Sequence, residues 1–205
     1  MQRAPIIVSL FVWALLSGDA TAQDIQLITL DGQKKMLTDP GTVPAGARKP
    51  DVTIVEYFDY NCPYCKKLAP ELKALLGQDR KVAVLYKDWP ILGAVSVYAA
   101  SSALAAGWQG KYLAAHDALM NGPRLAQDGQ VDTLLQSAGV NVDTLKRDRT
   151  GHAMEIVALL ARNDEEAHAL NLSGTPGLVV GRQLVPGVVD LNFLKELVAH
   201  SRQEK

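Results

Sequence analysis

Two cysteines, Cys62 and Cys65, are the only ones in the chain, and they bracket Pro63-Tyr64. Before them runs Val52-Thr53-Ile54-Val55-Glu56-Tyr57-Phe58, largely apolar and rich in β-branched and aromatic residues. After them runs Lys66 to Leu76, with helical spacing. The pair therefore stands at a strand-to-helix junction. In a first helical turn, residues i and i+3 share a face with Cβ atoms roughly 5–6 Å apart, so modest adjustment lets two sulfurs bond. Cys62 falls at the helix start, where unpaired N–H groups and the positive dipole end stabilise an anion. Such a position lowers a thiol pKa from about 8.5 to about 3.5–7.5. At a pKa of about 5 the thiol is about 99% thiolate at pH 7; unperturbed, it is about 3%. The stretch reads as a redox dithiol.

Two other readings compete. Structural zinc takes four Cys or His ligands, and this chain has no second Cys-x-x-Cys. His116, His152, His168 and His200 are scattered, without a short His-x-His spacing, so no metal site is expected. A purely structural disulfide is the other alternative, although a bridge closing so short a loop restrains little unfolded-chain entropy.

The N-terminus bears on that choice. Arg3 supplies a positive start, Ile6 to Leu16 an apolar run, and Ala20-Thr21-Ala22 a small-x-small cleavage signal. Residues 1–22 read as a cleaved signal peptide, with the mature chain starting at Gln23. The apolar run is well short of the ~20 residues a membrane span needs, so no stable membrane insertion is expected. Export to an oxidising compartment lets disulfides form and persist. Removing 22 of 205 residues leaves 183, enough for one core with an inserted subdomain. With Arg3 and Asp19 gone, 20 basic face 21 acidic side chains. That balance, without a basic stripe, argues against a nucleic-acid partner.

Along the mature chain, Asp24 to Leu30 alternates weakly and reads as an edge strand. Residues 31–50 are rich in Gly, Pro and Lys, with a turn signal at Asp39-Pro40-Gly41. They show no helical repeat, and 23–50 reads as a wrapping arm. Val52 to Phe58 is a buried strand and Pro63 to Leu76 a helix, in which Pro63 suits the first turn and Pro70 predicts a kink. Lys81 to Tyr86 is a second buried strand, ended by Trp89-Pro90. From Val95 to Leu170 the texture is helical, with about four helices expected. Tyr98 to Trp108, Tyr112 to Met120 and Met154 to Leu170 are the clearest; in the last, Ile156, Leu160, Ala167 and Leu170 share a face. After Gly174-Thr175-Pro176 come Leu178-Val179-Val180, a turn at Gly181-Arg182 and Leu184-Val185. Asp190 then caps a helix to about Ser201. The order β-α-β, helices, β-β-α predicts a small α/β domain, 51–92 with 171–205, interrupted by an all-helical insertion at 93–170.

These features resemble the thioredoxin fold in its DsbA-type form. The stretches that carry the resemblance are Glu56 through Lys67, Pro90-Ile91-Leu92-Gly93, Gln109-Gly110-Lys111-Tyr112 and Gly174-Thr175-Pro176. The set covers about residues 50–203 and is most similar to the branch containing the copper-sensitivity suppressor ScsC. Glutaredoxins also use Cys-Pro-Tyr-Cys, but they are shorter and lack the insertion. The resemblance implies an α/β, thioredoxin-like fold with an inserted all-helical subdomain. It also implies a protein thiol:disulfide oxidoreductase that needs no cofactor.

It implies roles for residues as well. Cys62 is then the exposed nucleophile and Cys65 the resolving thiol, the two forming a redox-active disulfide. Pro63 and Tyr64 are the active-site dipeptide; both are uncharged, unlike family members with a histidine there. Glu56 becomes a buried proton acceptor for Cys65. Gly174, Thr175 and Pro176 form the cis-proline loop, whose Thr175 backbone takes a client peptide by strand addition. Lys66 and Lys67 read as a solvated helix face, Trp89 as packing, and the four histidines as surface or satisfied groups. The sequon Asn171-Leu172-Ser173 reads as idle.

The function expected is disulfide exchange with cysteine-containing exported proteins in the periplasm, as a disulfide donor that a membrane redox partner recycles. The mature arm has no heptad repeat, and Gly32, Pro40, Gly41, Pro44, Gly46 and Pro50 interrupt it, which predicts a monomer. Two alternatives remain. One is a copper-stress protein holding Cu(I) on the same soft thiolates, which lack a third ligand. The other is a disulfide isomerase or reductase.

Overall fold

The structure, a computed structural model, describes residues 25–38 and 44–204. The signal-peptide reading of residues 1–22 lies outside them, as do the mature start at Gln23 and the turn at Asp39-Pro40-Gly41. At the centre are β3 (Val52–Phe58) and β4 (Val82–Asp88), paired parallel in register from Val52↔Val82 to Phe58↔Asp88. The helix α2 (Pro63–Gln78) links them. Numbering the short preceding segments as β1 (Gln26–Leu27), α1 (Leu30–Leu37) and β2 (Pro44–Gly46), and the late hairpin as β5 (Gly177–Val180) and β6 (Gln183–Pro186), the sheet runs β1-β6-β5-β3-β4-β2. All pairings except β3–β4 are antiparallel.

β3 and β4 are buried on both faces, which accounts for their near-continuous apolar runs. One face presents Ile54, Phe58, Val84, Tyr86, Leu178 and Val180. It packs on Leu68, Leu72 and Leu75 of α2 and on Leu194, Leu197 and Val198 of the last helix, α8 (Leu191–Gln203). The other face presents Val55, Tyr57, Leu85 and Val179, covered by Met36 of α1 and by Ala167 and Leu172. Asp190 caps α8, its Oδ1 accepting from Phe193 N–H at 2.8 Å. Near the end of α8, Arg202 bridges Asp51 and Asp79, with 2.8 Å to each.

Between β4 and β5 lie five α-helices: α3 (Ala94–Ala106), α4 (Tyr112–Asn121), α5 (Asp128–Ser137), α6 (Val142–Gly151) and α7 (Ala153–Ala169). A 3-10 turn, Gly107–Gln109, separates the first two. The count exceeds the expected four because α5 and α6 show little apolar periodicity: their buried residues are Val131 and Leu135, and Leu145 alone. The second half of α7 belongs to the sheet as much as to the insertion. Asn163 Nδ2 donates to Asp88 O at 2.9 Å, and Trp89 Nε1 donates to Asp164 Oδ1 at 2.8 Å.

One expectation needs correction. Residues 31–50 are not without helix: α1 forms there, capped by Thr29, whose Oγ1 accepts from Gly32 N–H at 3.1 Å. Its eight residues bury only Met36, so no repeat is readable, and the sheet face supplies the stabilisation. Gly46 closes β2 at φ +92°, where a Cβ would meet Leu76 Cδ2 at 2.6 Å and Val82 O at 2.7 Å. Only glycine fits that approach. α2 continues as helix through Pro70, which faces solvent while Leu68, Leu72 and Leu75 hold the helix to the core.

On the second face the fully buried Lys87 places its ammonium 3.0 Å from Glu166 Oε2, which also accepts from the Tyr57 hydroxyl at 3.0 Å. Removing one partner of a buried pair leaves the other charge uncompensated. Glu166→Ala is expected to lower stability by roughly 3–5 kcal/mol in urea denaturation, and the apolar double replacement Lys87→Met/Glu166→Leu to recover most of it.

Candidate active site

The turn from β3 into α2 is built by Asp59, Tyr60 and Asn61. Asp59 is buried, and its carboxylate accepts from Asn61 N–H (2.7 Å), the Ser96 hydroxyl (2.7 Å) and Leu92 N–H (2.9 Å). Its carbonyl accepts from Cys62 N–H at 3.0 Å. The Asn61 side chain pairs with the Leu125 backbone in both directions, at 2.8 and 3.1 Å, tying the turn to the helical insertion. Asp59 and Asn61 were missed in the sequence. Their signal is an Asp and an Asn between a buried strand and a helix cap, where side chains satisfy loose backbone groups.

Cys62 is the N-cap of α2, and its Sγ accepts from Cys65 N–H at 3.4 Å. Pro63 occupies the first turn. Tyr64 is 57% exposed and Cys62 only 4% exposed, while Cys65 is fully buried. Both cysteines are free thiols. The Thr175-Pro176 bond is cis, and Thr175 presents its carbonyl to Cys62, whose thiol donates to it at 3.2 Å. Pro176 is buried, with Gly174 and Thr175 half-buried beside it.

The two thiols titrate in opposite directions. Cys62 is lowered to about 6, first by a hydrogen bond from the Cys65 thiol, then by the Thr175 side chain and the N–H groups of Cys65 and Tyr64, against the cost of desolvation. Cys65 is pushed far above its ordinary value by burial, by its hydrogen bond to Cys62 and by the Glu56 charge. Lys66 is not a solvated group. Its ammonium donates to the carbonyls of Leu119, Met120 and Gly122 at 2.6, 3.3 and 3.1 Å, capping the end of α4. Lys67 lies 5.5 Å from the Tyr64 ring centroid.

Behind Cys65 lies a cluster of buried polar side chains. Glu56 is buried, and desolvation, then the Cys62 and Asp88 charges, raise its carboxyl to about 8. Asp88 is raised by burial to about 7, although the hydrogen bond from the Tyr112 hydroxyl and the nearby Tyr60 oppose the rise. His116 stacks on Tyr86 with centroids 3.9 Å apart, lies 3.3 Å from the Tyr60 hydroxyl and is held neutral by burial, at about 4. It is a satisfied core histidine. Asp88 was also missed; a charged residue closing an apolar strand was its only mark. No group of three or more His, Cys, Asp or Glu side chains among the described residues is arranged to hold a metal.

Residues 53–199 match the model of the DSBA-like thioredoxin domain. The chain belongs to that family. A thioredoxin-like oxidoreductase from Silicibacter pomeroyi is 39% identical at TM-score 0.80, covering 86% of this chain and 99% of that one. The thiol–disulfide exchange protein alpha-DsbA2 of Wolbachia pipientis is 27% identical at 0.78, covering 83% and 92%. The catalytic domain of Proteus mirabilis ScsC is 27% identical at 0.71, covering 84% and 96%. Among curated proteins, the antiporter NhaA 1 of Salinispora arenicola is 30% identical over 159 residues, 75% of this chain and 24% of that protein. The chain thus spans about a quarter of the length of the curated relatives it matches. The domain is of the DsbA type, close to ScsC. Among the described residues no helix is long and apolar enough to cross a membrane.

Two outcomes follow from these titrations. In reduced protein, alkylation by iodoacetamide is expected to occur at Cys62 with a midpoint near pH 6, and Cys65 to stay unmodified at neutral pH, as peptide mapping would read. The Glu56 carboxyl is raised in the folded state from 4.5 to about 8. The stability it contributes is therefore complete below about pH 4.5 and lost as pH rises through about 8. Denaturation midpoints between pH 5 and 8 should fall with pH more steeply in the wild type than in Glu56→Gln.

Proposed function

We propose that this chain is an exported protein thiol:disulfide oxidoreductase that donates disulfides to cysteine-containing proteins in the periplasm. The observation that carries the reading is the contrast between a Cys62 thiol lowered to about 6 and a buried Cys65 thiol raised far above neutrality, three residues apart. A stabilised Cys62 thiolate favours the dithiol over the disulfide, and that makes the oxidised pair a ready donor. Export rests on the leader read in residues 1–22.

In the donor direction a client thiolate attacks Cys62 Sγ of the Cys62–Cys65 disulfide. A client–Cys62 bond forms, the Cys62–Cys65 bond breaks, and Cys65 leaves as a thiolate that takes a proton from Glu56. A second client thiolate then attacks the client sulfur, closing the client disulfide and releasing Cys62 as the low-pKa leaving group. The client is oxidised and the dithiol reduced. The uncharged Pro63-Tyr64 dipeptide leaves the tuning of Cys62 to backbone N–H groups and neighbouring side chains. The Gly174-Thr175-Pro176 loop receives the client as an added strand through the Thr175 backbone. A membrane redox partner then reoxidises the pair.

Cys62→Ser is expected to abolish turnover, and Cys65→Ser to accumulate mixed disulfides with clients, resolved on non-reducing gels. Equilibration with glutathione should place the potential near the donor value of about −120 mV rather than the reductant value of about −270 mV. Light scattering at micromolar concentration should report a monomer. A stable oligomer that unscrambles a misoxidised client would instead make the protein an isomerase.

A further inference from the structure

Glu56 and Asp88 stand on one face of the sheet. The register pairs Glu56 with Tyr86 and Phe58 with Asp88, so the two acids are diagonal neighbours on adjacent strands. A strand spacing of about 4.8 Å and a two-residue step of about 6.6 Å put such neighbours about 8 Å apart, within reach of long side chains. Both residues are 1% exposed. Each keeps one buried carboxyl oxygen, Glu56 Oε1 and Asp88 Oδ1, without a hydrogen-bond partner among the described residues. A neighbouring pair of buried acids, each with an unpaired oxygen, is costly for folding alone.

We propose that Asp88 is a positioning residue for the proton that accompanies exchange: Glu56 and Asp88 hold one proton between them behind Cys65, and the Asp88 charge keeps that proton on Glu56. The inference rests on reading Cys62 and Cys65 as the exchanging pair. Two carboxyls in one buried cluster do not both ionise readily. Asp88 is better able to hold the charge, because its Oδ2 accepts from the Tyr112 hydroxyl at 2.7 Å.

Among the described residues, the surrounding groups leave the pair without a cation. Loop and strand supply Tyr60, Asp59 and Tyr86; α4 supplies Tyr112, the neutral His116 and, nearby, Asp117; α7 supplies the amide of Asn163. From α2 come the two thiols, with the Lys66 ammonium turned to the carbonyls that end α4. Lys87, next in sequence to Asp88, reaches Glu166 on the opposite face. When Cys65 leaves as a thiolate, the nearest acid is therefore Glu56 in its neutral form. It gives up its proton and becomes a carboxylate beside a second carboxylate. When the dithiol is reoxidised Cys65 must attack as a thiolate, and the proton it releases returns to Glu56, where it relieves the repulsion between the two carboxylates.

The test is a carbon-13 NMR titration of side-chain carboxyls in the reduced protein, with Glu56 assigned by the signal lost in Glu56→Gln. The wild-type Glu56 signal should titrate near 8. Asp88→Asn should move it to lower pH by roughly one unit, and Asp88→Glu should restore it. Tyr112→Phe, which keeps Asp88 but removes its donor, should move the Asp88 step to higher pH. The variant keeps the test available if Asp88→Asn does not fold. Stopped-flow reduction of the oxidised protein, corrected for reductant thiolate, should be slowed at neutral pH in Asp88→Asn, and no further in Asp88→Asn/Glu56→Gln than in Glu56→Gln. Signals that stay in place in both folded variants overturn the proposal, whatever happens to melting temperature. A Glu56→Gln protein that exchanges at the wild-type rate would overturn the role of Glu56 in exchange, a separate result.

Discussion

The turn between β3 and α2 depends on one buried carboxylate. Four residues after the centre of the sheet, the chain must reverse from strand to helix and leave the first N–H groups of α2 directed at a sulfur. Asp59 makes this possible by accepting from Asn61, Leu92 and Ser96 together, so the strand end, the loop before α3 and α3 itself meet at a single point. Its carbonyl holds Cys62 N–H, which fixes the cap residue. Charged acceptors make stronger hydrogen bonds than neutral ones. The Cys62 sulfur is thus placed by a residue that meets Cys62 only through its backbone.

The chemistry of the site comes from unequal burial of similar groups. Cys62 and Cys65 share a helical turn, yet one receives several donors and the other is sealed beneath it. Glu56 and Asp88 share a sheet face, yet only Asp88 receives a tyrosine hydroxyl. Stability is given up for these differences, since Glu56 Oε1, Asp88 Oδ1 and Asn163 Oδ1 all lie buried without a partner among the described residues. The extensive contacts of the aromatic group around His116 and the Arg202 clamp on Asp51 and Asp79 keep the fold intact around that cost.

Much of this was legible before any coordinates. β3, α2, the late hairpin and α8 announce themselves because each has a strong apolar pattern and a clear boundary, such as Asp190. Glu56 was legible as an acid misplaced in an apolar strand. By contrast, α1 buries a single side chain and α5 two, so their helical state is decided by the surfaces they meet. Lys66 reads as a surface lysine because the carbonyls that it caps are more than fifty residues away. Asp88 stayed hidden for the same reason: its meaning depends on its neighbour across the strand and on Tyr112.

The arm before β3 supplies both outer strands of the sheet, β1 against β6 and β2 against β4, with α1 crossing one face between them. Neither outer strand finds its partner within its own stretch of chain. Pairing β1 requires the hairpin near the C-terminus, and so closes the longest loop in the molecule. Contacts of such high sequence separation form late in folding. The β1 edge is therefore closed late, and an intermediate lacking it would offer β6 as an open template for pairing with another chain.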